Sequence, residues 1–457
     1  MTVLIITTIV LITSNLVTSF FWLSVYNTIA ICWIYSFVNI FFHSTSLCII
    51  VSAFFIALIH AVNHTKYKIL HEHFHYEDLF LYSQVFRFPK FYIPFVGVIR
   101  FWTIVSIAVI SIFTIFYLNY LWVYNFSMNN WLMNILIFFL LNIIIFFLTK
   151  KTEQHSFDSC IKSFGVLMTI LIYLYRNQKQ IETLKSSELE ADLLPKRIIA
   201  IQSESYMLAK ENFDFSMSKK ENCYKYGKLH VPCYGAYTMR SEFAFLTGLS
   251  LEKLDTDSFN PYRKTYKSVT NSYIEQLKGL GYRCVVVHPF KKDFFNRKQV
   301  FEHLGFDDFI DESEFEKTDI FTTDAQLTEY LEKYLQKHSD QKIFIFVITI
   351  AGHGPYTLQR RDSKKYKANT GSDEVDSYLD LNYKATTMLK ALENNIDNDT
   401  LLIWYGDHKP SIANWNLSQQ DKYSTDYFII KKNASTKYSY EKNINVENLL
   451  SYSIKDY

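Results

Sequence analysis

The sequence predicts a helical membrane domain followed by an α/β domain with a three-layer core, and two contrasts along the chain predict it. Of the 47 Lys+Arg and 45 Asp+Glu in 457 residues, only nine lie in residues 1–150, the first being Lys66. The second contrast is one of period. Long apolar stretches before residue 150 give way, after Lys196, to short apolar runs separated by helical patterns. Two solvents are implied, and a single soluble domain is excluded. A formal net charge of +2 also argues against a polybasic nucleic-acid binder or an acidic tail protein.

A spanning helix needs about 20 mainly apolar residues, because each residue rises about 1.5 Å through a hydrocarbon layer about 30 Å thick. Residues 3–23, 26–42, 47–62, 96–123 and 131–148 qualify, giving about five transmembrane helices in a polytopic domain over 1–150. The second and third are short, which leaves open a count with one re-entrant segment. Aromatic residues, 17% of the chain, concentrate in these runs, as expected for rings in and at the edges of a bilayer. The first stretch lacks a basic lead and a small-residue cleavage pattern, so it reads as a span and not as a cleaved signal peptide. Residues 164–175 hold about twelve apolar positions between Lys162 and Arg176, which suits a helix lying at the interface. With the charged stretch 177–196 they form an interfacial helix and linker over 151–196.

Residues 197–457 then read as the α/β domain. Runs at 197–203, 283–288, 342–350 and 400–405 are short, continuous and rich in branched residues, and helical patterns at 269–280, 324–337 and 373–394 lie between them. Strands buried on both faces and alternating with helices make a parallel sheet covered by helices on each side. Ligands in such sheets sit beyond the carboxyl ends of the strands. Those ends carry Glu204, His288, His353 and the pair Asp407-His408. Each alone is a common turn or cap residue. Together they bring two carboxylates and three imidazoles to one edge, and Glu204, Asp407 and His408 suit a divalent cation. Thr238 opens a helical run at 239–246 and offers a hydroxyl, as a helix cap, as a nucleophile, or as both. A threonine hydroxyl holds its proton too tightly to attack unaided, so it needs a metal or a base.

These residues resemble the sulfatase-like transferases of the alkaline phosphatase superfamily, and within them the lipoteichoic acid synthase and phosphoglycerol transferase group. The matching marks are Glu204-Ser205, Thr238 three residues before Ser241-Glu242-Phe243, His288-Pro289, Phe295-Asn296-Arg297, Leu304-Gly305-Phe306-Asp307, His353 with Pro355-Tyr356, and Gly406-Asp407-His408. The resemblance spans about 197–430. It implies a sulfatase-like domain in which Glu204, Thr238, Asp407 and His408 hold one divalent metal, Mn²⁺ first, with Mg²⁺ or Zn²⁺ as alternatives. It makes Thr238 the nucleophile, His353 the group that protonates the leaving alkoxide and later deprotonates the acceptor, and His288, Arg297 and Phe295 the substrate contacts. Phe295 departs from the pattern, since Trp is usual there. Arg240 has no role carried over, and reads as a phosphate contact or, more commonly, as a surface salt bridge.

The implied activity is phosphoglycerol transfer from phosphatidylglycerol, through a threonine ester, to a surface glycan or polyol-phosphate acceptor such as a capsular polysaccharide. Phosphoethanolamine transfer by the same chemistry, hydrolysis of the ester, and a non-catalytic membrane scaffold remain alternatives. Charge bias and resemblance disagree on orientation. Lys66, Lys68, Arg87 and Lys90 would place the loop 64–95 in the cytoplasm and, with five spans, the α/β domain too. Glu72, Glu77, Asp78 and five histidines counting from His60 dilute that bias, and the resemblance puts the catalytic domain outside the cytoplasmic membrane of a bacterium. His71, His73 and His75 invite a second metal site, but neither a fourth ligand nor tetrahedral spacing is evident, and they read as facing water and head groups. Glu77 and Asp78 read, as a hypothesis, as groups that face the lipid substrate. Cys223 and Cys233 are either a disulfide in an oxidising compartment or plain thiols. Cys233 lacks the flanking Pro and Arg of a formylglycine signal, which disfavours sulfate-ester hydrolysis by that route.

Overall fold

The computed structural model describes residues 21–42, 44–83, 87, 98–122, 127–176, 182–190, 194–208, 223–316, 321–360, 369–412, 415, 419–432, 439–440, 443–455 and 457. The chain divides into two compact units, Met1–Gln180 and Ile181–Tyr457.

In the first unit the helices are α1 (Phe21–Phe41), α2 (Thr45–Leu70), the short α3 (Asp78–Tyr82), α4 (Val98–Trp122), α5 (Met128–Lys151) and α6 (Phe157–Arg176). Among the described residues four are long and apolar enough to cross a membrane: Leu23–Phe41, Thr45–Leu70, Met128–Lys151 and Phe157–Arg176. The stretch expected at 3–23 lies almost wholly outside the described residues. The stretch expected at 96–123 contains α4, within which Val105–Tyr117 is a shorter apolar helix.

Two differences from the sequence reading have physical causes. The interfacial helix expected at 164–175 is part of the 20-residue α6, interrupted at Gly165, with half of its apolar window buried inside the unit. It packs against α1 and α5. Counting apolar residues in one uninterrupted run missed the first turns, where Phe157 and Cys160 are buried although polar residues separate them. The second difference is at α2, which continues past its apolar run to Leu70 and carries Lys66 into the interior. There the Lys66 ammonium lies 2.7 Å from Asp78 and 3.7 Å from Glu72. Asp78 is therefore committed to Lys66 and to the His75 N–H at 2.8 Å, and does not face lipid. Glu77 too is buried. His75 is buried against the rings of Phe157 and Tyr173, and His73 stacks on Tyr67, so neither simply faces water.

The second unit is built on a nine-stranded sheet. Its strands are β1 (Arg197–Ser203), β2 (Cys223–His230), β3 (Arg283–Val287), β4 (Asp308–Ile310), β5 (Ile343–Ile348), β6 (Thr400–Gly406), β7 (Ser424–Lys431), β8 (Ser439–Tyr440) and β9 (Ile444–Asn445). The order is β8-β2-β7-β6-β1-β5-β3-β4, with β9 also on β2. The run from β6 to β4 is parallel, and β7 and β2 extend it antiparallel. β1 is central, with Ile199 opposite both Ile345 and Leu402, so its side chains are buried on both faces and read as a continuous apolar run.

The helices of this unit include α7 (Thr238–Thr247), α8 (Tyr273–Gly279), α9 (Arg297–Leu304), α10 (Asp324–Lys337), α11 (Asp373–Asn395) and α12 (Val446–Lys455). Alternation along the strands assigns the layers. Ile199, Ile201, Val285, Ile345 and Val347 share one cluster with Leu327 and Leu331 of α10 and Met388, Leu389 and Leu392 of α11. On the opposite face Phe346 meets Phe245 of α7 and Phe301 of α9. The three-layer α/β architecture is thus as expected. Both α8 and α10 begin with reciprocal capping boxes, at Ser272-Glu275 and Thr323-Gln326.

Candidate functional site

β1, β5 and β6 end side by side at the carboxyl edge of the sheet, and two glycines let their continuations approach closely. A Cβ on Gly352 would lie 2.3 Å from the Glu204 carbonyl oxygen, and one on Gly406 2.0 Å from that of Tyr206. Glu204 follows β1, with its N–H donating to Thr349 Oγ1 at 2.9 Å. Ser205 turns the chain through the left-handed region (φ 55°). Its N–H donates to Asp407 Oδ1 at 2.8 Å and its hydroxyl to Glu204 Oε1 at 3.0 Å. The His408 N–H adds a second donor to Asp407 Oδ1 at 2.9 Å, whereas Asp407 Oδ2 is buried without a hydrogen-bond partner among the described residues.

His408 completes the group. Its Nδ1 faces the Lys409 carbonyl at 3.1 Å and so carries the proton, which turns the lone pair of Nε2 inward. Nε2 lies 3.4 Å from Asp407 Oδ2 and 3.6 Å from Glu204 Oε1. One ligand atom from each of Glu204, Asp407 and His408 lies within 4.8 Å of the others. Burial first, and then repulsion between the carboxylates, raises the Asp407 pKa to about 7, and burial also raises that of Glu204. Lone pairs turned toward one another around an undonated carboxylate oxygen fit a divalent cation.

Thr238 stands at this group. It is the first residue of α7, preceded by Tyr237 in the left-handed region (φ 68°), and no side chain caps the helix. The hydroxyl is therefore not spent on capping, and its Oγ1 lies 3.5 Å from His408 Nε2. Two bonds tie the helix start to β6: Ser241 Oγ donates to the Asp407 carbonyl at 2.6 Å, and the Gly235 N–H to that of Lys409 at 2.9 Å.

The other expected contacts form a second arrangement. His288 Nδ1–H donates to the Ile348 carbonyl at 3.0 Å, and its Nε2 accepts from Arg297 Nη1 at 3.3 Å. Burial and then the neighbouring guanidinium push the His288 pKa well below its usual value, so the ring is neutral. Arg297 is held by a residue that had no assigned role. Glu242 receives its Nε–H at 3.0 and 3.2 Å and its Nη2–H at 2.6 Å, both side chains being buried. The signal was available, since Glu242 lies four residues after Thr238 and thus on the same helical face. Phe295, left-handed at φ 55°, places its ring 5.2 Å from the guanidinium. His353 has Nδ1 2.8 Å from the Gly354 carbonyl, and burial lowers its pKa to about 4. Arg360 secures that loop through the carbonyls of Ala351, His353 and Pro355.

Arg240 is not a surface residue. It is buried against the ring of Tyr237 and donates from Nε to the Phe259 carbonyl at 3.1 Å. Cys233 is buried, with its Sγ 3.6 Å from Ser241 Oγ, and the Cys223 side chain lies outside the described residues.

A family model described as Sulfatase matches residues 213–452, more than half of the chain. The chain belongs to the sulfatase family. Its sequence is similar to lipoteichoic acid synthases. The capsular polysaccharide biosynthesis protein RkpI of Rhizobium meliloti is 28% identical over 249 residues, covering 51% of this chain and 44% of its own. Lipoteichoic acid synthase 1 of Bacillus subtilis is 30% identical over 159 residues, 32% of this chain and 25% of its own. The solved phosphoglycerol transferase GacH of Streptococcus pyogenes, in complex with sn-glycerol-1-phosphate, aligns over 59% of this chain and 75% of that one, at 22% identity and a TM-score of 0.44. The chain spans less than half the length of these two curated relatives. Members of this sulfatase-like family bind a divalent metal, and Glu204, Asp407 and His408 are the candidate group for it here.

Proposed function

We propose that the protein is a membrane-bound, metal-dependent transferase that moves phosphoglycerol from phosphatidylglycerol to a cell-surface glycan or polyol phosphate. The observation that carries this reading is the 3.5 Å approach of the Thr238 hydroxyl to His408 Nε2 at the edge of the Glu204, Asp407 and His408 group. A divalent cation held by Glu204, Thr238, Asp407 and His408, Mn²⁺ by resemblance, would lower the proton affinity of the hydroxyl and neutralise a non-bridging phosphate oxygen.

In the first displacement the bond from Thr238 Oγ1 to phosphorus forms, the bond to the diacylglycerol oxygen breaks, and the threonine proton leaves on diacylglycerol. In the second an acceptor hydroxyl replaces the threonine oxygen, and the proton it loses returns to Thr238. Arg297 contributes charge-assisted donors to the phosphate. His353, neutral with Nδ1–H directed at Gly354, offers Nε2 as a lone pair that takes a proton and passes it on. Its low pKa suits the deprotonating role better than that of a standing acid. The catalytic unit acts on the extracytoplasmic side of a bacterial cytoplasmic membrane, where lipid donor and surface acceptor meet.

The test incubates the purified full-length protein and Mn²⁺ with fluorescent phosphatidylglycerol or phosphatidylethanolamine. Diacylglycerol release from the first lipid, with a phosphoglycerol mass increment on Thr238, is the expected result. Release from phosphatidylethanolamine alone would move the reading to phosphoethanolamine transfer. Release that persists in Thr238→Ala would remove the covalent step.

A further inference from the structure

Arg297 is clamped on both sides by groups that leave part of it unused. A guanidinium has five N–H donors. Glu242 takes Nε–H and one Nη2–H, and His288 Nε2 takes one Nη1–H. One N–H on each terminal nitrogen therefore has no acceptor among the described residues. The clamp is itself anchored. Tyr262 donates its hydroxyl to Glu242 Oε2 at 3.0 Å, Gln202 donates Nε2–H to Oε1 at 3.4 Å, and Tyr405 holds Gln202 by a 2.7 Å bond to its carbonyl oxygen. All of these side chains are buried.

We propose that Glu242 is a positioning residue for the transfer reaction. It acts through Arg297, fixing the guanidinium so that its two remaining N–H groups face the non-bridging oxygens of the transferred phosphate. Three features favour this over a plain buried ion pair. Glu242 sits four residues from Thr238 on α7, so one rigid helix sets both the nucleophile and the orientation of the phosphate donor. His288, as the Nδ1–H tautomer backed by the Ile348 carbonyl, can only accept from Arg297, and so fixes the opposite side of the fork. The pair is also close enough to act electrostatically on Glu204. A freely rotating guanidinium would be drawn to Glu204, and Glu242 holds its charge back for the substrate.

This inference rests on the transferase reading, so its test has an arm that needs no turnover. In the full-length protein with Mn²⁺, Glu242→Gln keeps the shape and loses the charge. Diacylglycerol release from phosphatidylglycerol vesicles is expected to fall about 10- to 100-fold in kcat, with KM changed less than about threefold. In an Arg297→Lys background the same substitution should cost less than about threefold further, because its effect travels through Arg297. An equal loss in both backgrounds, or none in the wild-type background, overturns the proposal. Should Glu242→Gln fail to fold, Tyr262→Phe removes one anchor and leaves the charge. About 3- to 10-fold slower release, again suppressed by Arg297→Lys, is then expected, and unchanged release is the contrary result. The second arm measures labelling of Arg297 by phenylglyoxal through peptide mass mapping. At least about threefold faster labelling in Glu242→Gln supports the clamp, and an unchanged rate overturns it whichever donor lipid the enzyme uses.

Discussion

Two buried carboxylate arrangements lie within electrostatic reach of each other in the α/β unit, and they meet the cost of burial in opposite ways. Glu242 is neutralised by Arg297 through a forked bond and by two neutral donors. Glu204 and Asp407 face each other and the lone pair of His408, and among the described residues Asp407 Oδ2 has no charged donor to neutralise it. A fully paired carboxylate is finished chemistry and serves as a strut. An unpaired one of this kind, held by a Ser205 turn that Tyr378 braces through a 2.8 Å hydrogen bond, is a receptor for positive charge.

Substitutions can break or sharpen that contrast. The largest expected effect is on turnover. Thr238→Ala should lower donor-lipid turnover at least about 10³-fold, with the thermal midpoint of the metal-free protein within a few degrees of the wild type. Stability comes next and separates the two arrangements by sign. Glu242→Ala leaves the Arg297 charge buried without its partner and should cost about 3–5 kcal/mol in denaturant unfolding of the α/β unit. Asp407→Asn keeps an Oδ1 acceptor for Ser205 and His408 while removing the repulsion with Glu204. It should leave the metal-free protein as stable as the wild type or more so, while abolishing the Mn²⁺-dependent rise in the midpoint.

The third effect is on pH. A carboxyl whose folded pKa lies above its unfolded value binds more protons when folded, so the Asp407 contribution to metal-free stability should fall as pH rises from about 4 to about 7; it is read as the difference between the wild type and Asp407→Asn, because His288 and His353, with lowered pKa values, act in the opposite sense. The slope is at most about 1.4 kcal/mol per pH unit for one proton. Mn²⁺ must displace that proton, so its stabilising effect should grow over the same interval, and calorimetry at pH 5.5 and 7.5 would reveal it. The smallest is Tyr378→Phe, which removes the brace on Ser205. A loss of about 1 kcal/mol, with slightly weaker Mn²⁺ binding, is the expected result.

The strut was harder to see in the sequence than the receptor. Glu204, His288, His353 and Asp407-His408 stand directly after buried strands, so hydrophobic patterning alone located them on one edge. Glu242 lies inside a helix with no strand to announce it, and its partner is 55 residues away. Only the spacing from Thr238 hinted at a shared face. The same limit applied to Lys66, whose burial depends on Asp78 arriving from the following loop. Strands β2 and β7 were missed because they carry polar residues such as Lys228 and Asp426, which pair with each other across the antiparallel ladder at 2.6 Å. Lys162 cut the apolar run of α6 short at its N-terminal side, so the uninterrupted stretch 164–175 was too brief to read as a span, although the whole helix is long and apolar enough.

One detail of the site has a consequence for how a cycle proceeds. Because Ser241 and Gly235 bolt the start of α7 to the end of β6, the Thr238 hydroxyl and the Asp407 carboxylate belong to a single stiff seat. Such a seat needs no closing lid to assemble it. In the proposed transfer, tempo would then pass to traffic, to the arrival of one greasy, two-tailed molecule and the departure of another.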